Sequence, residues 1–543
     1  VFSYIFPDNK RMFIANELGD FAYVLECMPS LYNCTQHAYK PVDLTADEHP
    51  VMINLGRRTF HLSPDGNHFA YSMVRPDALV MMVSRLIKTP AGYAATEHKV
   101  INPPPPAGPT DMSQKTRTGA GQLYEFKSFA DGGRSAVIVG EPTFGNADML
   151  KVNLSTGEYT RLTGDADWDE DGALSPDGKQ LVVASWRGMN RLNALNLMPL
   201  SRPFAVYPMG ALIAIYYVSS HQGFACDLQP WLLGAAGDAE GTLMGQPLAP
   251  YNGGNDIIGN NLAGVSFWSP DSTRVIVQER QLSAIPATAN DYVKQKGTSP
   301  NRLLIARVSN TPSTAAASTP VVVGNWARSP QDYLGGFALP GVYVINGDHS
   351  GHAVLTIVGN VAAGQSTVQY NNFSNDGKHF LSGTELTQTA VAARAGQLIT
   401  RLTASDATGT EIGFLNTDLT FVRVIPDPGV GEPPLQKQGA VNASYKGKTG
   451  TGLPEVGACP NSFPKPSAIL IKTAQTANNE IELTALAKIN GDERPIKGAI
   501  ITVQGADYIS DSFGRVRVSN SLKGAQAKAK AGDTFTPWVG AIQ

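Results

Sequence analysis

The sequence predicts a mainly-β protein assembled from repeated four-stranded sheets, with a smaller β unit behind them. Three observations predict this. A short phrase recurs along the chain: a large apolar residue, a tight turn bearing Asp, then a strand-like run. It reads FPDNKRMFIA from Phe6, LSPDGNHFAY from Leu62, FADGGRSAVIV from Phe129, LSPDGKQLVVA from Leu174, WSPDSTRVIV from Trp268 and FSNDGKHFLS from Phe373. The stretch after the third copy shows a whole unit, with SAVIVGE, then DMLKVNL, the turn STGE, and YTRLT. Finally, no helix–strand alternation occurs, and charged residues make up only 16 % against 42 % apolar, the balance of a folded rather than a disordered chain.

Each part of the phrase has a physical reason. Pro presets φ for the turn, Asp bonds the backbone ahead of it, and Gly takes the positive φ. The run that follows is wholly apolar or alternating, as in a strand buried on one or both faces. One strand precedes the turn, one follows it, and an antiparallel pair completes a unit of four. The step from Asp131 to Asp177 matches the roughly 40–50 residues of a propeller blade. Longer steps then carry insertions, the largest at about residues 199–264 and 324–366.

Six such sheets close into a β-propeller, which leaves only short protected edges. Residues 2–6 fit an innermost strand and 419–425 an outermost one, so the propeller is expected over residues 1–425. A seven-bladed alternative would make residues 341–359 (GVYVINGDHSGHAVLTIVG) a blade; a hairpin extension is the preferred reading, because no repeat turn introduces it.

The phrase, followed by a turn and an R-L-T strand, resembles the TolB-type β-propeller repeat. The match covers residues 1–425, is strongest at Leu62 and Leu174, and weakest at Phe6 and Phe129. The resemblance implies a fold and an exported setting, and says little about chemistry. The α/β domain that precedes the propeller in TolB has no counterpart here.

Residues 426–466 read as a linker, opening with the Pro/Gly-rich PDPGVGEPPLQKQG. Over 467–543, SAILIKTAQ, EIELTALAKI, KGAIITVQG, GRVRVSN and QAKAKAG supply short strands between turn signals, the pattern of a small β-sandwich. IKGAIITVQGADYISDSFGRVRV from Ile496 resembles carboxypeptidase-regulatory or immunoglobulin-like modules, with Asp511 and Gly514 at the turn.

The totals exclude several functions. A net charge of −3 gives no field to collect nucleic acid or anionic lipid. No run reaches the roughly 18 apolar residues of a membrane span. The chain starts at Val1 without a basic-then-apolar leader, which reads as a leader removed or a longer chain entered partway. No nucleophile elbow, His-Glu-x-x-His, phosphate loop or dinucleotide fingerprint is present.

Several residues remain as candidates. GDADWDEDG from Gly164 places Asp165, Asp167, Asp169 and Asp171 at alternate positions before Gly172. Such carboxylates can converge on calcium; the alternative is an acidic loop joining two blades. Trp231 and Trp326 lie in expected insertions, as do Tyr251, Asn252 and Asn255 in an Asn/Gly-rich stretch, and insertions are where a glycan or peptide would bind. His349 and His352 sit three apart in a turn, where a metal pair is the weaker reading against a solvated turn. The cysteines Cys27, Cys34, Cys226 and Cys459 allow two disulfides, most simply Cys27 with Cys34 and Cys226 with Cys459; four buried thiols are the alternative.

The expected function is an exported, non-enzymatic binding or scaffold protein whose partner is another protein or a cell-surface glycan. One alternative is a carbohydrate-active lyase or hydrolase with its site at the propeller axis. The other is a calcium-stabilised structural component of an envelope layer.

Overall fold

The computed structural model describes the chain except residues 1, 17–20, 46–55, 75–78, 103–123, 141–146, 188–191, 199, 201, 203–227, 239–244, 249–256, 259–267, 281–300, 309–311, 313, 316, 331–339, 360–362, 391–394, 423–435, 453–467, 477, 490–491, 497, 512 and 532–536. Cys226, Cys459, Tyr251, Asn252 and Asn255 lie outside the described residues.

The first half is a series of antiparallel sheets, each a simple meander. Sheet one contains Phe2–Ile5, Arg11–Ala15, Ala22–Met28 and Gln36–Asp43. Sheet two contains Gly56–Leu62, His68–Val74, Leu79–Lys88 and Tyr93–Val100. Sheet three contains Tyr124–Ala130, Ser135–Gly140, Asp148–Asn153 and Tyr159–Arg161. Sheet four contains Asp169–Leu174, Gln180–Ser185, Gln229–Gly234 and Gln246–Pro247. Sheet five contains Ile257–Ile258, Arg274–Arg280 and Asn301–Arg307.

These sheets stack face to face around an axis, as in a β-propeller. The first strands of sheets one to four touch one another in chain order. Phe13 of sheet one packs on Phe60 and Phe69 of sheet two, with ring centroids 5.9 and 5.5 Å apart. Phe69, Tyr71 and Met82 of sheet two join that core. Their neighbours Ala70, Met81 and Val83 point the other way, into a core shared with Phe126, Ile138 and Val152 of sheet three. The middle strands Ser135–Gly140 and Gln180–Ser185 are buried at every position, which is why they read as continuous apolar runs.

The repeat turns lie side by side. A Cβ on Gly66 would lie 3.0 Å from Pro7 Cδ, one on Gly133 3.8 Å from Pro64 Cδ, and one on Gly178 3.9 Å from Asp131 Oδ1. Asp177 N donates to Ser272 Oγ at 3.1 Å. Five turns therefore succeed one another along one end of the sheets. Within three of them the Ser hydroxyl donates to the Asp carboxylate, Ser63 to Asp65, Ser175 to Asp177 (2.6 Å) and Ser269 to Asp271 (2.5 Å). The same hydroxyls accept from the backbone amides of His68, Gln180 and Arg274. The turn is thus closed from both sides.

The sixth repeat departs from this plan. Its turn, Ser374 to Gly377, adjoins His349 rather than the other turns. Its strands, Ala363–Ser374 and His379–Ala390, belong to an eight-stranded antiparallel sheet running from Gly341–Asn346 to Lys448–Thr451. Ala395–Asp406 alternates between buried and partly exposed positions, so this sheet has one covered and one outward face. Blade strands need two covered faces, and this alternation cannot supply them. Residues 341–359 form a hairpin at its edge. The sheet also runs past position 425: Gln436–Tyr445 and Lys448–Thr451 are strands within the stretch that reads as linker. Likewise the expected insertion at 199–264 contains the last two strands of sheet four.

The eight-stranded sheet is fastened to sheet four's side of the molecule. A short helix, Asn193–Asn196, touches its last two strands, and buried Arg202 pairs with Glu385 at 2.6 Å. Beyond it lie two further four-stranded sheets. One is Ile469–Gln475, Glu480–Ile489 and Asp492–Pro495 with Arg515–Ser519; the other is Ile500–Val503, Ala506–Ile509, Gln526–Lys530 and Trp538–Ala541. Asp511 Oδ1 accepts from the amides of Phe513 and Arg515 at 2.8 Å, and Gly514 supplies φ +74°.

Sheets one and two also join at their outer edges through a parallel pairing of Val42 with Tyr93 and Asp43 with Ala94. A Cβ on Gly92 would lie 2.3 Å from Pro41 O. Gly92→Ala is therefore expected to lower unfolding stability by about 1–3 kcal/mol, read as a lower urea midpoint; an unchanged midpoint would show the edge pairing to be incidental.

Candidate functional site

The innermost strands of sheets two, three and four share an irregularity. Each loses register against its neighbour, between Arg58 and His61, at Lys127, and between Glu170 and Gly172. Thr59 and Asp171 take positive φ, 53° and 49°, an unfavourable conformation, most of all for β-branched Thr. Such bulges re-aim side chains. Here they bring charges from three sheets together.

Lys127 is the centre. Its Nζ lies 2.8 Å from Glu125 Oε2 and 3.3 Å from Glu170 Oε1, and it also pairs with Asp171 Oδ1. Glu125 is paired on its other oxygen with Arg58 Nε of sheet two at 3.0 Å. Trp168 Nε1 donates to Glu170 Oε2 at 2.9 Å. Lys127 and Asp171 side chains are each 2 % exposed, whereas Arg58 keeps 37 %. The network thus runs inward from one solvent-reaching guanidinium. Burial opposes the charge on Lys127, but Asp171, Glu125 and Glu170 outweigh it and hold the ammonium well above the ordinary lysine range.

His61 lies beside this network. Its Nδ1 is 3.1 Å from Tyr4 OH of sheet one, and its ring packs on Phe126 with centroids 5.4 Å apart. Burial, and then the charge of Lys127, push it down to about 3. Burial likewise raises the Tyr4 hydroxyl. Both groups are neutral at pH 7.

The acidic loop from Gly164 feeds this site and a second buried pair. Asp171 turns to Lys127, while Asp169 turns to Arg187, with Nη2 2.7 Å from Oδ2. Asp167 Oδ1 accepts from Leu192 N at 2.7 Å, and Asp165 Oδ1 from Asp167 N at 2.9 Å. Each of the four carboxylates therefore has a protein group against it, and Arg187 acts on both Asp169 and Asp165. No signal in the sequence links residues 58, 125, 127 and 170; Lys127 in YEFKSFA reads as an ordinary strand residue.

The other sequence candidates fall elsewhere. Trp231 is wholly buried in sheet four rather than carried on a free insertion. Trp326 packs over Gly157 and Tyr159 and donates from Nε1 to Leu154 O at 2.8 Å, a clamp on sheet three. His349 lies against Phe380, whereas His352 Nε2 sits 3.0 Å from Asn371 Nδ2, so the two imidazoles diverge. Cys27 and Cys34 form a disulfide across the hairpin between the last two strands of sheet one. The loop it closes is open to solvent, with Met28 59 % and Tyr32 89 % exposed.

No protein-family model matches the chain, and no curated protein sequence does. Among solved structures it is similar to a putative TolB from Agrobacterium tumefaciens, at 13 % identity over 56 % of this chain and 76 % of that one, with a TM-score of 0.31. TolB from Acinetobacter baumannii overlaps at 11 % identity over 58 % and 56 %, with a TM-score of 0.27. Prolyl oligopeptidase B from Galerina marginata overlaps at 9 % identity over 82 % and 55 %, with a TM-score of 0.26.

Three outcomes follow. Lys127→Met leaves buried carboxylates without their cation and is expected to cost about 3–5 kcal/mol, measured by chemical denaturation; a cost below about 1 kcal/mol would remove the network's bracing role. His61 must stay neutral in the folded state, while the unfolded chain takes its proton below its ordinary 6.5. The stability it contributes is complete above pH 6.5 and falls by about 1.4 kcal/mol per unit as pH drops toward 3. His61→Gln should flatten that part of the stability–pH curve, and an identical curve refutes the assignment. Chelation should leave the melting midpoint unchanged if Asp169 and Asp171 stay with Arg187 and Lys127; a drop of several degrees would support the calcium reading.

Proposed function

We propose that this chain is an exported, non-enzymatic interaction scaffold that docks another protein. The observation that carries the reading is the disulfide-tied loop of sheet one, which holds Met28 and Tyr32 out in solvent on a rigid base. Exposed, pre-organised aromatic and Met side chains are what protein interfaces use as anchors. The disulfide supports an oxidising compartment. At the axis, the ionisable groups are committed to one another across sheets, and a lysine held charged by three carboxylates has no role as base or nucleophile at neutral pH.

In this reading sheets one to five form a TolB-like propeller, and the insertion segments fasten neighbouring sheets. The last two sheets are a β-sandwich of carboxypeptidase-regulatory or immunoglobulin-like type, acting as spacer or second docking piece.

The test compares the wild type with Tyr32→Ser and with Lys127→Met in a native pull-down from the source organism's exported fraction, followed by mass spectrometry. One partner retained by Lys127→Met and depleted at least tenfold by Tyr32→Ser is expected. The same proteins should release no reducing ends or unsaturated uronates from a panel of neutral and acidic polysaccharides. Turnover that Glu125→Gln abolishes would replace the scaffold reading with an axial carbohydrate-active site.

A further inference from the structure

Three ionisable side chains meet at one end of the eight-stranded sheet, away from the charged network of the first strands. Asp376 and His379 belong to the sixth repeat turn, which leads into the strand His379–Ala390. Lys446 lies 67 residues beyond His379, in the turn between Gln436–Tyr445 and Lys448–Thr451. Antiparallel pairing of the intervening strands carries both turns to the same end. Each turn is fixed by its own backbone. Asp376 Oδ1 accepts from the amides of Lys378 and His379 at 2.8 and 2.9 Å. Lys446 takes φ 48° before Gly447, and its amide donates to Ile412 O at 2.8 Å.

The side chains form a line. Asp376 Oδ2 lies 2.7 Å from His379 Nδ1, and His379 Nε2 lies 3.2 Å from Lys446 Nζ. Their chemistry assigns the protons: a carboxylate only accepts and an ammonium only donates. Nδ1 therefore carries the imidazole proton, and Nε2 turns its lone pair toward Lys446. Burial opposes the charge on Asp376, but His379 and the amides of His379 and Lys378 outweigh it and hold the carboxyl well below the ordinary carboxylate range. Asp376 thus sets the tautomer of the ring. Asp406, opposite His379 in register, turns to Thr408 and Thr410 instead.

This is the order of a nucleophile, a base and the group that orients the base, with an amine as the nucleophile. Lys127 is buried among three carboxylates; Lys446 is exposed and has a proton acceptor beside it.

We propose that Lys446 is an acyl-acceptor site that takes an acyl group from a thioester, with His379 as its base and Asp376 as the positioning residue. The ammonium first loses one proton to solvent through His379, and the neutral amine attacks the thioester carbonyl carbon. The new C–N bond leaves a positive charge on nitrogen. His379 Nε2 removes a proton from that nitrogen, the C–S bond breaks, and the departing thiolate takes the proton from His379. The products are an amide on Lys446 and a free thiol, with no change of oxidation state. The base matters because an alkyl thiolate leaves slowly, and an adduct that keeps its proton reverts by expelling the amine. The site is separate from the Tyr32 loop and does not depend on what that loop binds.

The test incubates the full chain with limiting N-acetyl-S-acetylcysteamine at mildly alkaline pH and reads acetyl occupancy lysine by lysine with peptide mass spectrometry. Lys378 and Lys448 are the references, since both are exposed at the same end of the sheet. Lys446 should be acetylated about tenfold faster than either, less than general-base catalysis reaches in a closed site. His379→Gln should bring Lys446 down to the reference rate, and Asp376→Asn should remove part of its lead, both with unchanged circular dichroism. Succinimidyl acetate separates base assistance from mere exposure: its leaving group departs without help, so Lys446 should lose its lead with that reagent. A wild-type Lys446 no faster than Lys378 and Lys448, a lead that survives His379→Gln, or an equal lead with both reagents would each overturn the inference.

Discussion

Burial of a strand on both faces governs this molecule. A strand with sheets above and below it has no solvent side, so every residue must be apolar, small or paired. Phe69, Tyr71 and Met73 go one way and Ala70 the other, and bulk on one side is matched by smallness on the other. This packing needs neighbours of the same kind, which is why the sheets come in series and why the ends of the series stand out. It also explains the low content of charge: each sheet has little outward surface on which to place it.

The polar residues that remain inside are correspondingly organised. The bulges at Thr59, Lys127 and Asp171 turn side chains out of the stacked faces and toward the first strands of adjoining sheets. There Arg58, Glu125, Lys127, Glu170 and Asp171 answer one another. Such a buried network contributes less to net stability than apolar packing of equal volume. Its value is geometric, because an ion pair between neighbouring first strands tolerates few relative positions of the sheets that carry them.

Much of the fold was legible in the sequence, because the turn phrase is local. Ser-Pro-Asp closes through its own hydroxyl and carboxylate, so the words at Leu62, Leu174 and Trp268 mean the same thing wherever they occur. The sixth copy shows the limit. FSNDGKHFLS makes a similar turn, yet the strands on either side run to twelve residues and join a sheet whose next strand, Ala395–Asp406, alternates between buried and partly exposed positions. The turn sets a hairpin; the flanking alternation decides what kind of sheet receives it. The site was far less legible. Arg58, Glu125, Lys127 and Glu170 meet through tertiary packing of separate units, and a bulge of one residue reverses which face a side chain occupies. The acidic run from Asp165 was visible, but its partners, Arg187 and Lys127, lie on other strands.

After sheet five the chain doubles back. Thr319 N donates to Gly132 O, Val321 N to Asp65 Oδ2, and Gly324 N to Leu154 O, while Val100 N donates to Arg328 O. Val321 and Ala327 enter the core between sheets two and three. This strap is translated only after the fifth sheet, yet it fastens a seam made much earlier. The amino-terminal sheets therefore cannot reach their final form while the chain is still being synthesised up to that point. A fragment cut after Arg307 would leave that seam uncovered, and any attempt to divide the protein into separately folding pieces has to keep the strap with the sheets it clasps.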